Sequence, residues 1–179
     1  MRKIMSFFIF SIFALLGSLA ISGSILVEAA FLNPLAIPTY DGSNQSVHPS
    51  VLHFDNGWKG YTYWMAFSPY PNSNDDYENP SLAVSNDRLN WVVPSGLSNP
   101  IDSLTAGEIA QGFHMSDSEI VMVDGRMEYW YRFTGPEGEE QLFRKSSANG
   151  IDWSARELIL DLSGTGQLVL SPSVIYEDG

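Results

Sequence analysis

HPSVLHFDNGWKGYTYWMAFSPYPNSNDDYENPSLAVSNDRLNW, residues 48 to 91, is the stretch from which the fold is read. Two runs of strand formers, Val51–Phe54 and Tyr61–Phe67, flank a Gly-rich turn. In the second run Tyr61, Tyr63, Met65 and Phe67 alternate with Thr62, Trp64, Ala66 and Ser68. A period of two with aromatic enrichment predicts a strand. A long polar loop, Pro69–Asn79, follows. Then come a third apolar run at Leu82–Val84, a tight Asn86-Asp87 turn, and a fourth strand at Trp91. The order is that of four antiparallel strands.

The unit recurs. Ile120–Val123 predicts a strand, Asp124-Gly125 a hairpin turn, and Glu128–Phe133 the returning strand. After the polar loop Thr134–Glu139 come Gln141–Ser146, a turn at Asn149-Gly150, and Trp153–Leu160. SNDRLNW ends at Trp91 and SANGIDW at Trp153, 62 positions later. PSVLHF at Pro49 is echoed by SEIVMV at Ser118 and PSVIYEDG at Pro172. A repeat of roughly 55–70 residues with four strands predicts an all-β chain of the β-propeller kind. Residues 47–179 then hold two blades and the first strand of a third. A blade buries its faces only against its neighbours. The expectation is therefore the front part of a longer, five-bladed protein of about 300 residues. Residues 30–46 read as an irregular lead-in, and Pro94–Gly112 as a link with helical character near Ser103–Ala110.

The first residues differ in kind. Arg2 and Lys3 precede the apolar run Ile4–Ile21, and Val27-Glu28-Ala29 fits a small-x-small cleavage pattern. Residues 1–29 read as a hydrophobic signal helix, cleaved as a signal peptide or kept as an anchor. A secreted, extracellular or periplasmic protein is expected, touching membrane only through an uncleaved N-terminal segment. The chain has no cysteine. That excludes a lipoprotein anchor and leaves core packing or metal to hold an exported domain. With Arg2, Lys3 and Glu28 set aside, 20 acidic and 7 basic side chains remain, a charge of −13. Such a surface repels nucleic acid and anionic membranes and suits neutral or cationic partners. An aromatic content of 13% fits a surface for polysaccharide or oligosaccharide, and equally a β core.

Antiparallel order sorts the polar residues. It gathers His48, the loop Pro69–Asn79, the link Pro94–Met115, Asp117 and Glu119 at one end of the blades. The turns Asp55–Gly60, Asn86–Asn90 and Asn149–Asp152 fall at the other. Ligand sites need convergent polar groups in a concavity, so the first end is the candidate surface. Asp75, Asp76, Glu78 and Asn79 are candidates for sugar hydroxyls, and a solvated loop with Asx turns reads equally well. No cofactor is expected, with calcium a further candidate because the loop is rich in hard oxygens, though without EF-hand spacing. His48 and His114 suit acid–base work, a ligand hydrogen bond or a structural role. Asp117 and Glu119 flank Ser118, and alternation puts both on one side of the strand. Paired carboxyls can carry general acid–base chemistry. Trp64, Trp91, Trp130 and Trp153 are expected in the core, and Trp58 and Tyr70 as exposed stacking surfaces.

Strand starts of the PSVLHF and SEIVMV kind, each unit closed by an S-x-N/D-x-x-x-W turn, resemble the five-bladed propellers of glycoside hydrolase family 43. The resemblance covers His48 to Gly179. It implies an inverting glycosidase of arabinose- and xylose-containing polysaccharides. It puts His48 where that family has its aspartate base. It puts Glu119, with Asp117 two residues earlier, at the second aspartate. At the catalytic glutamate this chain has Leu170-Ser171-Pro172. The alternative is a propeller without that base, which binds glycans or a protein and turns nothing over.

Overall fold

The computed structural model describes residues 35 to 177. The proposed signal segment lies outside the described residues. Seven strands form two antiparallel sheets, each in simple sequence order. The first holds β1 (Ser46–Trp58), β2 (Tyr61–Pro69) and β3 (Ser81–Ser85). The second holds β4 (His114–Val123), β5 (Arg126–Thr134), β6 (Glu140–Ser147) and β7 (Glu157–Asp161). One short helix, α1 (Ala106–Ala110), starts on a capping box between Thr105 and Glu108. No helix among the described residues is long and apolar enough to cross a membrane.

Two features depart from the sequence reading. The first sheet has three strands, not four. The run after Trp91 makes only a bridge, Val84 to Val92, with N–O distances of 2.8 and 2.9 Å. Pro94 follows at once and has no N–H to extend the ladder. The five-bladed propeller is not seen either. The described residues make two sheets, and the third copy at Pro172 pairs with no strand. Strand periodicity and turn motifs specify sheets. They do not specify how many sheets assemble or whether they close into a ring.

The repeat itself is structural. In the first unit Asp87 Oδ1 accepts from Leu89 N and Asn90 N, and Trp91 Nε1 donates to Arg88 O. In the second, Asn149 Oδ1 accepts from Ile151 N and Asp152 N, and Trp153 Nε1 donates to Gly150 O. These are Asx turns, in which a side chain takes over backbone hydrogen bonds. The left-handed residue of each turn is Arg88 (φ 69) or Gly150 (φ 78).

The core explains the double alternation in β2. Trp64 and Ala66 face the second sheet and pack with Leu82, Met115, Ile120 and Tyr129. Met65 and Phe67 face the other way, under Ile37 and Trp91. The lead-in is irregular, yet Ile37 is buried and covers that second face. Trp58 is not a free platform. It packs edge-on against Trp64 at 5.0 Å, and Trp64 Nε1 donates to its carbonyl.

The sheets are tied by one buried phenol. Tyr129 Oη accepts from Ser81 N at 3.1 Å and lies 2.7 Å from Ser118 Oγ. Ser118 Oγ is 3.0 Å from Ser68 Oγ. Burial raises the ionisation of Tyr129 far above its ordinary value, so it serves as a neutral hydrogen-bonding hub.

Gly150 is the repeat position with no room for a side chain. A Cβ there would lie 2.3 Å from the Trp64 ring. Gly150→Ala is expected to destabilise the fold by roughly 2–5 kcal/mol, from φ strain and overpacking together. Arg88→Ala, at the equivalent turn, should stay within about 0.5 kcal/mol. Urea unfolding of the two variants measures the contrast.

Candidate functional site

The site is built from a backbone irregularity used three times. His48 (φ 51), Asp117 (φ 56) and Ser171 (φ 47) are left-handed, and each precedes one copy of the repeated strand start. The ladder slips between Val47 and Ser50 in β1, and between Ser116 and Glu119 in β4. These are β-bulges, which turn a side chain out of the regular alternation. Non-glycine residues in this region cost on the order of 1–3 kcal/mol each, so surrounding structure must hold them there. The three residues line one cavity of about 420 Å³, together with Tyr70, Glu78 and Arg132.

The polar groups in it face one another. His48 Nδ1 lies 3.2 Å from Asp117 Oδ1, and His48 Nε2 lies 3.8 Å from Glu78 Oε1. Asp117 Oδ2 accepts from Ser171 N at 3.2 Å and sits 4.0 Å from Arg132 Nη1. Arg132 is held from behind. Its Nε and Nη2 donate to the two oxygens of Glu140 at 2.6 and 2.9 Å, the bidentate geometry that orients a guanidinium. Glu140 also accepts from Val169 N at 2.9 Å. The pair raises Arg132 and lowers Glu140, so both stay charged.

Glu78 behaves differently. It is 7% exposed. Its carboxyl is pushed up to about 7, first by burial and then by the charges of Asp117 and Asp75, against the pull of Arg132. A carboxyl poised near neutrality beside a half-exposed imidazole can both give and take a proton.

The candidates from the sequence separate here. His48, Asp117 and Glu78 meet in the cavity, and His114 lines its wall with Nε2 2.7 Å from Thr134 Oγ1. Glu119 accepts from Ser50 Oγ at 2.7 Å and lines a smaller adjoining cavity with His48 and Asp117. In register it is Asp117, not Glu119, that stands where His48 stands in the first sheet. Asp75 and Asp76 are exposed on the 3-10 turn that precedes the buried Glu78. Asn79 is buried and spent on structure, donating to Tyr40 Oη at 2.7 Å. Among the described residues no three His, Asp or Glu side chains are grouped to hold a metal ion. Sequence reasoning missed Arg132 and Glu140. A charged residue inside the aromatic strand YWYRF was the available signal, since an arginine there must find a partner when buried.

The comparisons bear on chemistry. The chain is 37% identical over 90 residues to the A type blood N-acetyl-alpha-D-galactosamine deacetylase of Flavonifractor plautii. It also matches the crystal structure of an N-acetylgalactosamine deacetylase from F. plautii in complex with blood group B trisaccharide, with a TM-score of 0.59 and 28% identity. The chain is similar to a glycan deacetylase. The alignments cover 49% and 66% of this chain. The chain spans about a tenth of the curated relative, 11%, and a third of the solved chain, 33%. No protein-family model matches it.

The likeness to family 43 therefore does not stand, and neither does the glycosidase it implied. The curated relative and the solved structure described above are each a deacetylase. Ser171 stands at the third repeat position, with its N–H on Asp117 Oδ2. The motifs that suggested family 43 are strand starts and Asx turns, which serve folding and carry no specific chemistry.

Glu78 has a consequence for stability. An unperturbed glutamate ionises near 4.5, so between there and about 7 the folded chain keeps a proton that the unfolded chain has lost. This contribution is full below 4.5 and is lost as pH rises through about 7. Glu78→Gln should remove a decline on the order of 2 kcal/mol between about pH 5 and about pH 8. Urea midpoints across that range, for parent and variant, measure it.

Proposed function

We propose that this chain contributes a site that hydrolyses the N-acetyl group of an amino sugar within an oligosaccharide. One observation carries the proposal. His48 is backed by Asp117 on one nitrogen and faces Glu78 with the other, in a cavity open to solvent, on a chain similar to a deacetylase.

Amide hydrolysis needs a base for water, a charge to meet the oxyanion, and an acid for the departing nitrogen. Asp117 orients the His48 ring by accepting from Nδ1–H, which leaves Nε2 to take a proton from water. The water oxygen bonds to the acetyl carbonyl carbon. The negative charge that forms on the carbonyl oxygen is met by Arg132. The C–N bond then breaks, and the protonated fraction of Glu78 delivers a proton to the nitrogen. Acetate and a free amino sugar leave. The proton on His48 returns to Glu78 across the 3.8 Å that separates them. Val47, Tyr70 and Leu170 line the same cavity and offer apolar contact to the acetyl methyl.

Acetate release from N-acetylgalactosaminides is the measurement. Asp117→Asn and His48→Ala are each expected to lower the rate roughly 10²–10⁴-fold, the range for loss of a general base. Release that is unchanged in both variants, or sugar binding with no release by the parent chain, defeats the proposal.

A further inference from the structure

The segment before β1 holds the polar loop after β2 at both of its ends. At the start of the loop, Tyr70 N donates to Gln45 O at 2.8 Å, and Asn72 N donates to Gln45 Oε1 at 3.0 Å. At its end, Tyr40 Oη donates to Tyr77 O at 2.9 Å and accepts from Asn79 Nδ2 at 2.7 Å. The Tyr40 ring also stacks on Tyr77, with centroids 6.4 Å apart. Between these holds, Ser73, Asn74, Asp75 and Asp76 are exposed. The bonds within the loop, Asp76 N to Asn74 Oδ1 and Glu78 N to Asp75 O, shape the turn and reach nothing outside it.

The holding segment is itself braced. Gly42 N donates to Thr39 O at 3.1 Å, and Asn44 N to Thr39 Oγ1 at 2.9 Å, which closes a tight turn between Tyr40 and Gln45. Burial raises the ionisation of Tyr40 above its ordinary value, so the proton stays on Oη and is donated to Tyr77. Buried Asn79 carries the hold inward, where its Oδ1 accepts from Leu104 N at 3.4 Å. Glu78 lies between Tyr77 and Asn79, the two residues that Tyr40 binds. His48 follows Gln45 by three positions. One short stretch of chain thus fixes both sides of the 3.8 Å gap between His48 Nε2 and Glu78 Oε1.

We propose that Tyr40 is a positioning residue: it clamps the loop on either side of Glu78, and so sets how deep that carboxyl lies and how far it stands from His48. Tyr40 touches no reacting atom. Acting only through Glu78, this role rests on the proposed reaction in the His48 cavity. Clamped, Glu78 is buried and faces His48 from β1, Asp117 from β4, Arg132 from β5 and Asp75 from its own loop. Released, it turns to solvent and regains the ionisation of an ordinary glutamate.

Tyr40→Phe removes the hydroxyl and keeps the ring and its stack on Tyr77, so the fold is retained. Carbon-13 NMR of the whole chain reads the Glu78 carboxyl directly. Its titration midpoint, about 7 in the parent, should fall by about one unit or more in the variant. Exchange of the Glu78 and Asn79 amide protons should quicken roughly tenfold. Ile37→Val is the control, since it loosens the same segment where it packs on the first sheet. It should lower the urea midpoint and leave the Glu78 titration in place. A Glu78 titration unmoved by Tyr40→Phe, or moved equally by Ile37→Val, overturns the clamp. Acetate release is scored separately. In a parent that releases acetate, Tyr40→Phe should lower kcat about three- to tenfold with little change in KM, and an unchanged kcat overturns the positioning role. No release by the parent, with the titration shift intact, defeats the reaction and leaves the clamp standing.

Discussion

A left-handed residue just before a strand start is the constraint on which the site depends. At His48, Asp117 and Ser171 the chain takes a positive φ that side chains resist. The bulge breaks the in-and-out alternation, and His48 and Asp117 turn to one mouth while Ser171 offers its N–H to Asp117. The strain is held in place by buried contacts. Next to Asp117, Ser118 is bound to Tyr129 and Ser68, and Ser50 in β1 donates to Glu119 in β4. The hydrogen bonds that join the sheets are thus the ones that hold the bulges.

Charge in the cavity is layered. At the back, Arg132 and Glu140 form a bidentate pair that holds both charged, with Arg132 Nη1 left over and 4.0 Å from Asp117 Oδ2. At the mouth, His48 is exposed enough to meet water. Between them Glu78 is buried, and the nearby charge of Asp117 adds to burial in disfavouring the ionised form of Glu78. Burial without a dedicated partner moves Glu78 toward neutrality, while the partnered Glu140 moves the opposite way. Two glutamates in one groove therefore do different work, and the environment alone separates them.

The segment after β7 has no strand of its own, yet it helps line the cavity. Val169 N and Ser171 N donate to Glu140 and Asp117, so backbone from the third repeat copy is held by carboxylates of the second sheet. Leu170 is left on the outer side of this segment, facing the cavity. A polar site is thereby given apolar edges, the composition expected where a sugar lies with one face on the protein.

Much of the fold was legible in the chain. The alternation in Tyr61–Ser68, the Asp124-Gly125 turn and the paired SNDRLNW and SANGIDW motifs each act over a few residues, and local patterns of that range survive in the structure. His48, Asp117 and Glu78 could be named because a repeated strand start and an acidic loop fall at the same end of antiparallel strands. Their separation from Asp75, Asp76 and Asn79 could not, because burial within one loop is set by what packs on it. Arg132 and Glu140 stayed hidden for the same reason, since each makes sense only beside the other across β5 and β6. The number of sheets and the chemistry of the mouth were decided by tertiary structure alone. Periodicity fixes which way a side chain points along a strand, whereas a bulge, a buried charge and a shared cavity exist only once distant strands are in contact.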